Sequence, residues 1–262
     1  MKGEASGMGR VHLVLHPQNV ALQEVFVTAG NYRLQGSSKW KEMSPVSIAT
    51  TAGAVGDIYN GIALLPGVQA AGESGKLMVR GGDSREAQTF IDEMHVLSPY
   101  TYTPENSAAR GRYSPFLFEG INFSSGGFSS DYSQSLSSVL PLTTKDESPV
   151  TKIGVSLLSV GMGGGGTKAW ANSSLSFNGD YQNIGPYNKL FPDSYDWINP
   201  YQRISGESQF RKTLANKGIW KTYLAYDRTS FAQHTSEAFN PINRRMDFEE
   251  DNLYLNSTFR KT

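Results

Sequence analysis

From Lys152 onward the chain alternates apolar and polar side chains at every second residue, over and over. Ile153, Val155 and Leu157 alternate with Lys152, Gly154 and Ser156, and Leu175 and Phe177 with Ser174, Ser176 and Asn178. Trp220, Thr222, Leu224 and Tyr226 oppose Lys221, Tyr223, Ala225 and Asp227, and Leu253, Leu255 and Phe259 oppose Asn252, Asn256 and Arg260. Neighbouring side chains of a strand point to opposite faces, so each stretch reads as a strand with one apolar and one polar side. With the QFRKTL stretch added, the pattern predicts about five long antiparallel strands. Gly161 to Gly166 is expected as a turn, and residues 182–204 and 232–248 as longer loops.

Two solvents satisfy such strands. A soluble sandwich turns the apolar side inward and the charges outward. An outer-membrane barrel does the reverse, with a polar interior and aromatic residues at the lipid interfaces. Trp170, Tyr181, Trp220, Phe231 and Tyr254 near the expected strand ends, with Asn and Ser opposite, fit the barrel. Alternation by itself fits both. No uninterrupted apolar run approaches the roughly 18 residues of a membrane helix, but a spanning strand needs only about 9–11. The opening stretch MKGEASGMGRVHLVLHPQ lacks the apolar core of about 7–15 residues expected of a secretory signal.

Composition removes several function classes. With 24 basic and 24 acidic side chains the net charge is zero, so no field gathers nucleic acid. Cysteine is absent, which excludes disulfides, thiolate metal sites and cysteine nucleophiles. The four histidines are scattered, and His12 and His16 lack further ligands at useful spacing, so no metal site is expected. Asp92 and Glu93 are expected on opposite sides of one strand and cannot act as a carboxylate pair. The glycine run is followed by Thr167-Lys168, the reverse of a phosphate loop's order. The chain reads as a non-enzyme without a cofactor.

The first half has a different texture. RVHLVL (10–15) and ALQEVFVTA (21–29) are β-prone, and Gly30 to Pro45 reads as a linker. Thr50 and Thr51 are expected to cap a helix over Ala54 to Leu65, ended by Pro66-Gly67. KLMVRGG is a short strand, GGDSRE a turn, and QTFIDEMHV (88–96) one alternating strand. A loop rich in Tyr, Pro, Asn and Arg covers residues 97–115, then a helical turn precedes GINFSS. The sum is a compact mixed domain of about 100 residues, an ordinary single-core size.

Four features of this half occur in an order that carries a family likeness: a helix ending in LPGV, a strand ending in VRGG, the strand FIDEM and the terminal FSSDYSQSLSSVL. The run from Val46 to Asp146 resembles the plug of TonB-dependent outer-membrane receptors, in their Bacteroidetes-type branch. The family usually has IDG where this chain has FIDEM, and Gly where Ser133 and Ser138 stand. The resemblance implies an α+β plug domain, a mixed sheet with short helices, followed by antiparallel strands of an incomplete transmembrane β-barrel. Residues 1–20 then read as the remnant of a carboxypeptidase-regulatory-like extension, 21–45 as a TonB-box-like segment and linker, 46–147 as plug, and 148–262 as the N-terminal part of the barrel.

Site residues follow from the same likeness. Leu22, Gln23, Glu24, Val25, Phe26, Val27 and Thr28 resemble the TonB box, a segment captured by β-augmentation. Plug loops implied to face the ligand carry Gln69, Glu73, Tyr100, Tyr102, Asn106, Arg110, Arg112 and Tyr113. Arg80 and Glu119 are implied as a buried, paired plug-to-barrel lock. The serines around Gly126-Gly127 suit a plug surface hydrogen-bonded inside a polar lumen. Implied partners are a TonB-type energy-transducing protein at the periplasmic face, outer-membrane lipid, a small nutrient ligand such as a siderophore, cobalamin or oligosaccharide, and a surface lipoprotein. A soluble adhesin or carbohydrate-binding module is the rival expectation.

Overall fold

The computed structural model describes residues 40–261 other than 55, 72–73, 105–108, 133, 147–149, 216–217 and 238–239. The segments expected at 1–20 and at Leu22–Thr28, together with Glu73, Asn106 and Ser133, lie outside the described residues.

The described residues begin inside the stretch expected as linker. Strand β1 (Trp40–Met43) pairs antiparallel with β6 (Phe118–Ser124). Helix α1 (Pro45–Thr50) starts at a serine cap, Ser44 Oγ accepting from Ser47 N at 3.0 Å, with Pro45 in the first turn where no N–H is needed. Helix α2 (Ile58–Ala63) is capped by Asp57, which accepts from Tyr59 N and Asn60 N. The single helix expected over Ala54 to Leu65 is thus shorter and starts at an aspartate. Gly53 and Gly56, at φ 87° and 71°, break the helical path before it.

Strands β2 (Val68–Ala71) and β3 (Lys76–Val79) make a separate hairpin. A second hairpin joins β4 (Ala87–Ile91) to β5 (Met94–Val96) through Asp92 and Glu93. Both turn residues have positive φ, 45° and 70°, the conformation of a type I′ turn. The FIDEM stretch is therefore a reversal and not one continuous strand. With β7 (Ser138–Thr144) these strands form a five-stranded sheet in the order β1-β6-β7-β4-β5, in which only β4 and β7 run parallel. Its core is Ile48, Ile58, Ile62, Val79, Ile91, Phe118, Ile121 and Leu142, each almost fully buried. Each such side chain contributes about 1.5–3 kcal/mol.

The second half is one open antiparallel sheet. Its strands are β8 (Lys152–Leu158), β9 (Gly161–Ala169), β10 (Ser173–Asn183), β11 (Asp196–Thr213), β12 (Ile219–Glu237) and β13 (Asn240–Arg260), paired in chain order. Six strands stand where about five were expected. The glycine run lies within β9, paired on both sides, and is not a turn. At Gly161 an added Cβ would sit 2.1 Å from Tyr181 O, so that position admits only glycine. Most of the expected loop at 232–248 is strand, and that at 182–204 contracts to short helix α3 (Gly185–Leu190) and its flanks.

The faces of this sheet are inverted relative to a soluble protein. Lys221, Tyr223, Ala225, Asp227 and Thr229 on β12, and Arg203, Ser205, Glu207, Gln209 and Arg211 on β11, are buried. The opposite rows are open: Ile153, Val155 and Leu157 are 83%, 86% and 84% exposed, and Leu253, Leu255 and Phe259 are also exposed. The small mixed sheet packs on the polar side, where Tyr223 meets Phe118 and Tyr113.

Candidate functional site

The two sheets meet through buried charge, which needs a partner for every ion. Arg112, on the loop after β5, donates to Asp227 Oδ1 at 2.7 Å and Glu250 Oε1 at 2.6 Å. Arg203 approaches the other oxygen of Asp227 at 2.5 Å and donates to the Arg112 carbonyl at 3.2 Å. Two guanidinium groups thus share one carboxylate, and Asp180 adds a second negative charge 3.5 Å from Arg203. Four residues beyond Arg203, Glu207 accepts from Ser114 N and from the Tyr223 hydroxyl, both at 2.7 Å.

A second group lies at the foot of the mixed sheet. Lys221 Nζ reaches Asp92 Oδ1 (3.2 Å), the Thr144 carbonyl (3.1 Å) and Asp146 Oδ1 (3.0 Å). Asp92 also accepts from Thr144 N at 2.9 Å and from its hydroxyl, so the type I′ turn and the end of β7 are tied together. Arg260 closes on the other oxygen of Asp146. Burial pushes the Asp146 carboxyl up, but Lys221 and Arg260 outweigh it and hold the group below its ordinary value. Asn256 donates to the Ile91 carbonyl at 2.7 Å, and Gln209 and Arg211 to the Lys145 carbonyl.

A third contact is aromatic. The Tyr102 ring stacks on Phe248 with centroids 3.9 Å apart and planes 13° apart, and lies 6.2 Å from Phe231. Trp197 and Tyr201 complete the group around Phe231.

The structure separates the expected ligand-facing residues. Tyr113 and Arg112 are buried, Tyr113 against Tyr223 and Tyr254, Arg112 in its ion pairs. Tyr100 stacks on Tyr59 at 4.5 Å and its hydroxyl accepts from Leu77 N at 3.2 Å. Burial raises both tyrosines above the ordinary phenol range. These three are packing and anchoring groups here. Gln69 and Arg110 are exposed, and Tyr102 is 46% exposed. Asp57 draws the loop inward by accepting from Gly111 N at 2.6 Å.

Arg80 and Glu119, expected as the lock, are not brought together. Both are exposed, Arg80 in the turn after β3 and Glu119 on β6, and no ion pair joins them among the described residues. Glu119 accepts only a long bond from Asp146 N, at 3.4 Å. The buried pairs belong to Arg112, Arg203 and Lys221 instead. Sequence reasoning missed the last two because the acidic partners of Arg203 lie on neighbouring strands and those of Lys221 in a turn and a strand exit far off in the chain; the polar row at 221 and 227 was the available signal.

No protein-family model matches the sequence, and no curated protein matches it. Solved structures do. The FrpB iron transporter from Neisseria meningitidis is similar at 12% identity and a TM-score of 0.55, over 84% of this chain and 38% of that one. The copper transporter OprC is similar at 12% identity and 0.53, over 84% and 34%. A mutant of the ferric enterobactin receptor PfeA from Pseudomonas aeruginosa is similar at 12% identity and 0.51, over 83% and 38%. The chain spans little more than a third of the length of these neighbours. The fold is that of TonB-dependent outer-membrane receptors: a plug-like mixed sheet with short helices, packed on the polar face of a six-stranded antiparallel sheet that is not closed into a barrel.

Proposed function

We propose that this chain is part of a TonB-dependent transporter that carries a small nutrient ligand across the outer membrane without covalent change. The observation that supports it most is the inverted sheet. Charges line the side that meets the plug, and the outer row from Trp220 to Tyr226 is apolar or aromatic except at Thr222. That row is six residues of rise, about 20 Å, close to the height of a lipid-facing band. A soluble adhesin or carbohydrate module is not favoured, since it would leave these rows in water. The neighbours' names, an iron transporter, a copper transporter and a ferric enterobactin receptor, support a metal ion or complex among the ligand classes.

In this reading residues 46–147 are the plug, 148–262 the first staves, and Leu22–Thr28 the box offered to an energy-transducing partner in the periplasm. Deleting residues 22–28 in a strain expressing the protein is expected to leave ligand binding to cells intact and to abolish uptake. Unchanged uptake by the deletion would refute the box assignment. A panel of radiolabelled siderophores, cobalamin and oligosaccharides identifies the cargo.

A further inference from the structure

We propose that α3, just past the end of β10, is a foot that rests in the lipid head-group zone beside the wall, with Tyr187, Leu190 and Phe191 turned into the bilayer surface. The inference rests on the reading of the outward rows as lipid-facing, since those rows set the height of the membrane. The outward side chains change from apolar to polar between Tyr181 and Asn183 on β10 and between Ile204 and Gln202 on β11. One row further down they change between Tyr226 and Arg228 on β12 and between Leu253 and Asp251 on β13. Past that line the outward face carries ion pairs, Arg228 with Glu249 and Asp251, and Arg245 with Asp247. Helix α3 begins two residues beyond Asn183 and so stands directly above the line. The β8–β9 hairpin ends at the same height, where the Val160 carbonyl accepts from Asn183 N at 2.7 Å.

The polar groups of the loop tie it to the wall and leave its apolar groups outside. Asn183 Oδ1 accepts from Gly185 N at 2.8 Å, and its Nδ2 donates to the Tyr181 hydroxyl at 3.0 Å. Asp193 accepts from Asn188 Nδ2 at 2.9 Å and from Tyr195 N and Trp197 Nε1 at 3.0 Å, and Trp197 packs edge-on against Phe231. Asn188 is thus turned to the wall, and Leu190, about 200° further round the helix, is turned away. Leu190 is 76% and Phe191 60% exposed, and the Phe191 ring meets Tyr187 at 5.1 Å. No residue of α3 is buried, so the wall covers none of this apolar surface. A short amphipathic helix gains stability at a lipid interface, where a tyrosine ring sits at head-group level and a lysine such as Lys189 extends its ammonium to water. Gly185 also leans on Pro200, an added Cβ lying 3.4 Å from Pro200 Cγ. Pro200 lines an outward cleft of about 440 Å³ with Asn199, Gln202, Ser230, Asp247 and Glu249, a polar berth for head groups beside the foot.

The chain has no cysteine, so a single introduced thiol can be labelled without background. The test places a fluorophore at Leu190→Cys, at Ser194→Cys in the same loop and at Leu255→Cys in an outward row, in the full protein reconstituted in phosphatidylcholine vesicles. Emission is read with a nitroxide lipid labelled near its head group, with one labelled at mid-chain, and with iodide in the water. Leu190→Cys is expected to lose most emission to the shallow nitroxide and little to iodide, Ser194→Cys to do the reverse, and Leu255→Cys to respond most to the mid-chain label. The proposal is overturned if Leu190→Cys is quenched by iodide as strongly as Ser194→Cys, or if it is shielded from lipid and iodide alike, which would mean that protein covers α3. In both cases a lipid-quenched Leu255→Cys leaves the lipid-facing rows standing. If Leu255→Cys itself lies in water, those rows fail and the foot with them.

Discussion

Lys221 Nζ stands 3.2 Å from Asp92 Oδ1 and 3.0 Å from Asp146 Oδ1, so one ammonium on β12 holds both the tip of the β4–β5 hairpin and the segment that follows β7. Replacing it with methionine leaves the buried Asp92 carboxylate without a cation and Asp146 with Arg260 alone. Lys221→Met is expected to cost about 3–5 kcal/mol in chemical unfolding from detergent micelles. Adding Asp92→Asn and Asp146→Asn should recover much of that loss, because the uncompensated charges are then gone. A triple variant as unstable as the single one would place the cost elsewhere.

The same clasp sets a pH dependence. The Asp146 carboxyl is held low in the folded chain by Lys221 and Arg260 against the opposing effect of burial. A depressed carboxyl contributes stability that is fully present above its unfolded value, about 4, and lost as pH falls through the lower folded value. Melting temperatures of the parent should therefore drop on acidification below about pH 4. Asp146→Asn should lack this share of the drop; identical acid profiles would exclude Asp146 as its source.

Arg112 spans Asp227 and Glu250 with two arms of a rigid fork. Lysine keeps the charge but cannot serve both carboxylates in that geometry. Arg112→Lys is expected to cost about 1–3 kcal/mol. It should also speed amide exchange at Thr101, Arg112 and Ser114, whose N–H groups bond within this region. Exchange unchanged at all three would separate the loop from the ion pair.

The outward rows invite a charge scan. Leu224→Arg and Leu255→Arg place a guanidinium in the middle of the exposed apolar rows. Each should destabilise the protein folded into lipid vesicles by about 2–4 kcal/mol, whereas Gln202→Arg, beyond Ile204 on the outer face, should cost about 0–1. Equal effects at the three positions would mean that no lipid boundary separates them.

The faces of the long strands were legible in the sequence because a period of two is set by backbone geometry alone: Lys221 and Asp227 point inward and Leu224 outward, as the alternation requires. Local punctuation was read less well. Asp92-Glu93 makes a type I′ turn without the glycine that usually marks one, since Asp92 gains Thr144 and Lys221 as partners that offset the left-handed backbone. Thr50 and Thr51 looked like caps, yet Asp57 performs that task and reaches Gly111 as well. The buried ion pairs were hidden for a simpler reason. Arg112 finds Asp227 and Lys221 finds Asp92 across more than a hundred residues of chain, and no local pattern encodes such a partner.

Strand β9 offers glycine at positions 161 and 163 to 166, and at Gly166 an added Cβ would crowd the Lys152 carbonyl at 2.9 Å and the Phe177 ring at 3.3 Å. Such a stave has almost no knobs by which its neighbours can count their place. Its alignment is recorded by little more than the Thr167 hydroxyl meeting Ser176 at 2.8 Å and the short reversal before Gly161. While the wall is being assembled, the β8–β9 hairpin is thus the ribbon free to glide by two residues and still present the correct sides, and that hydroxyl pair is the catch that stops it.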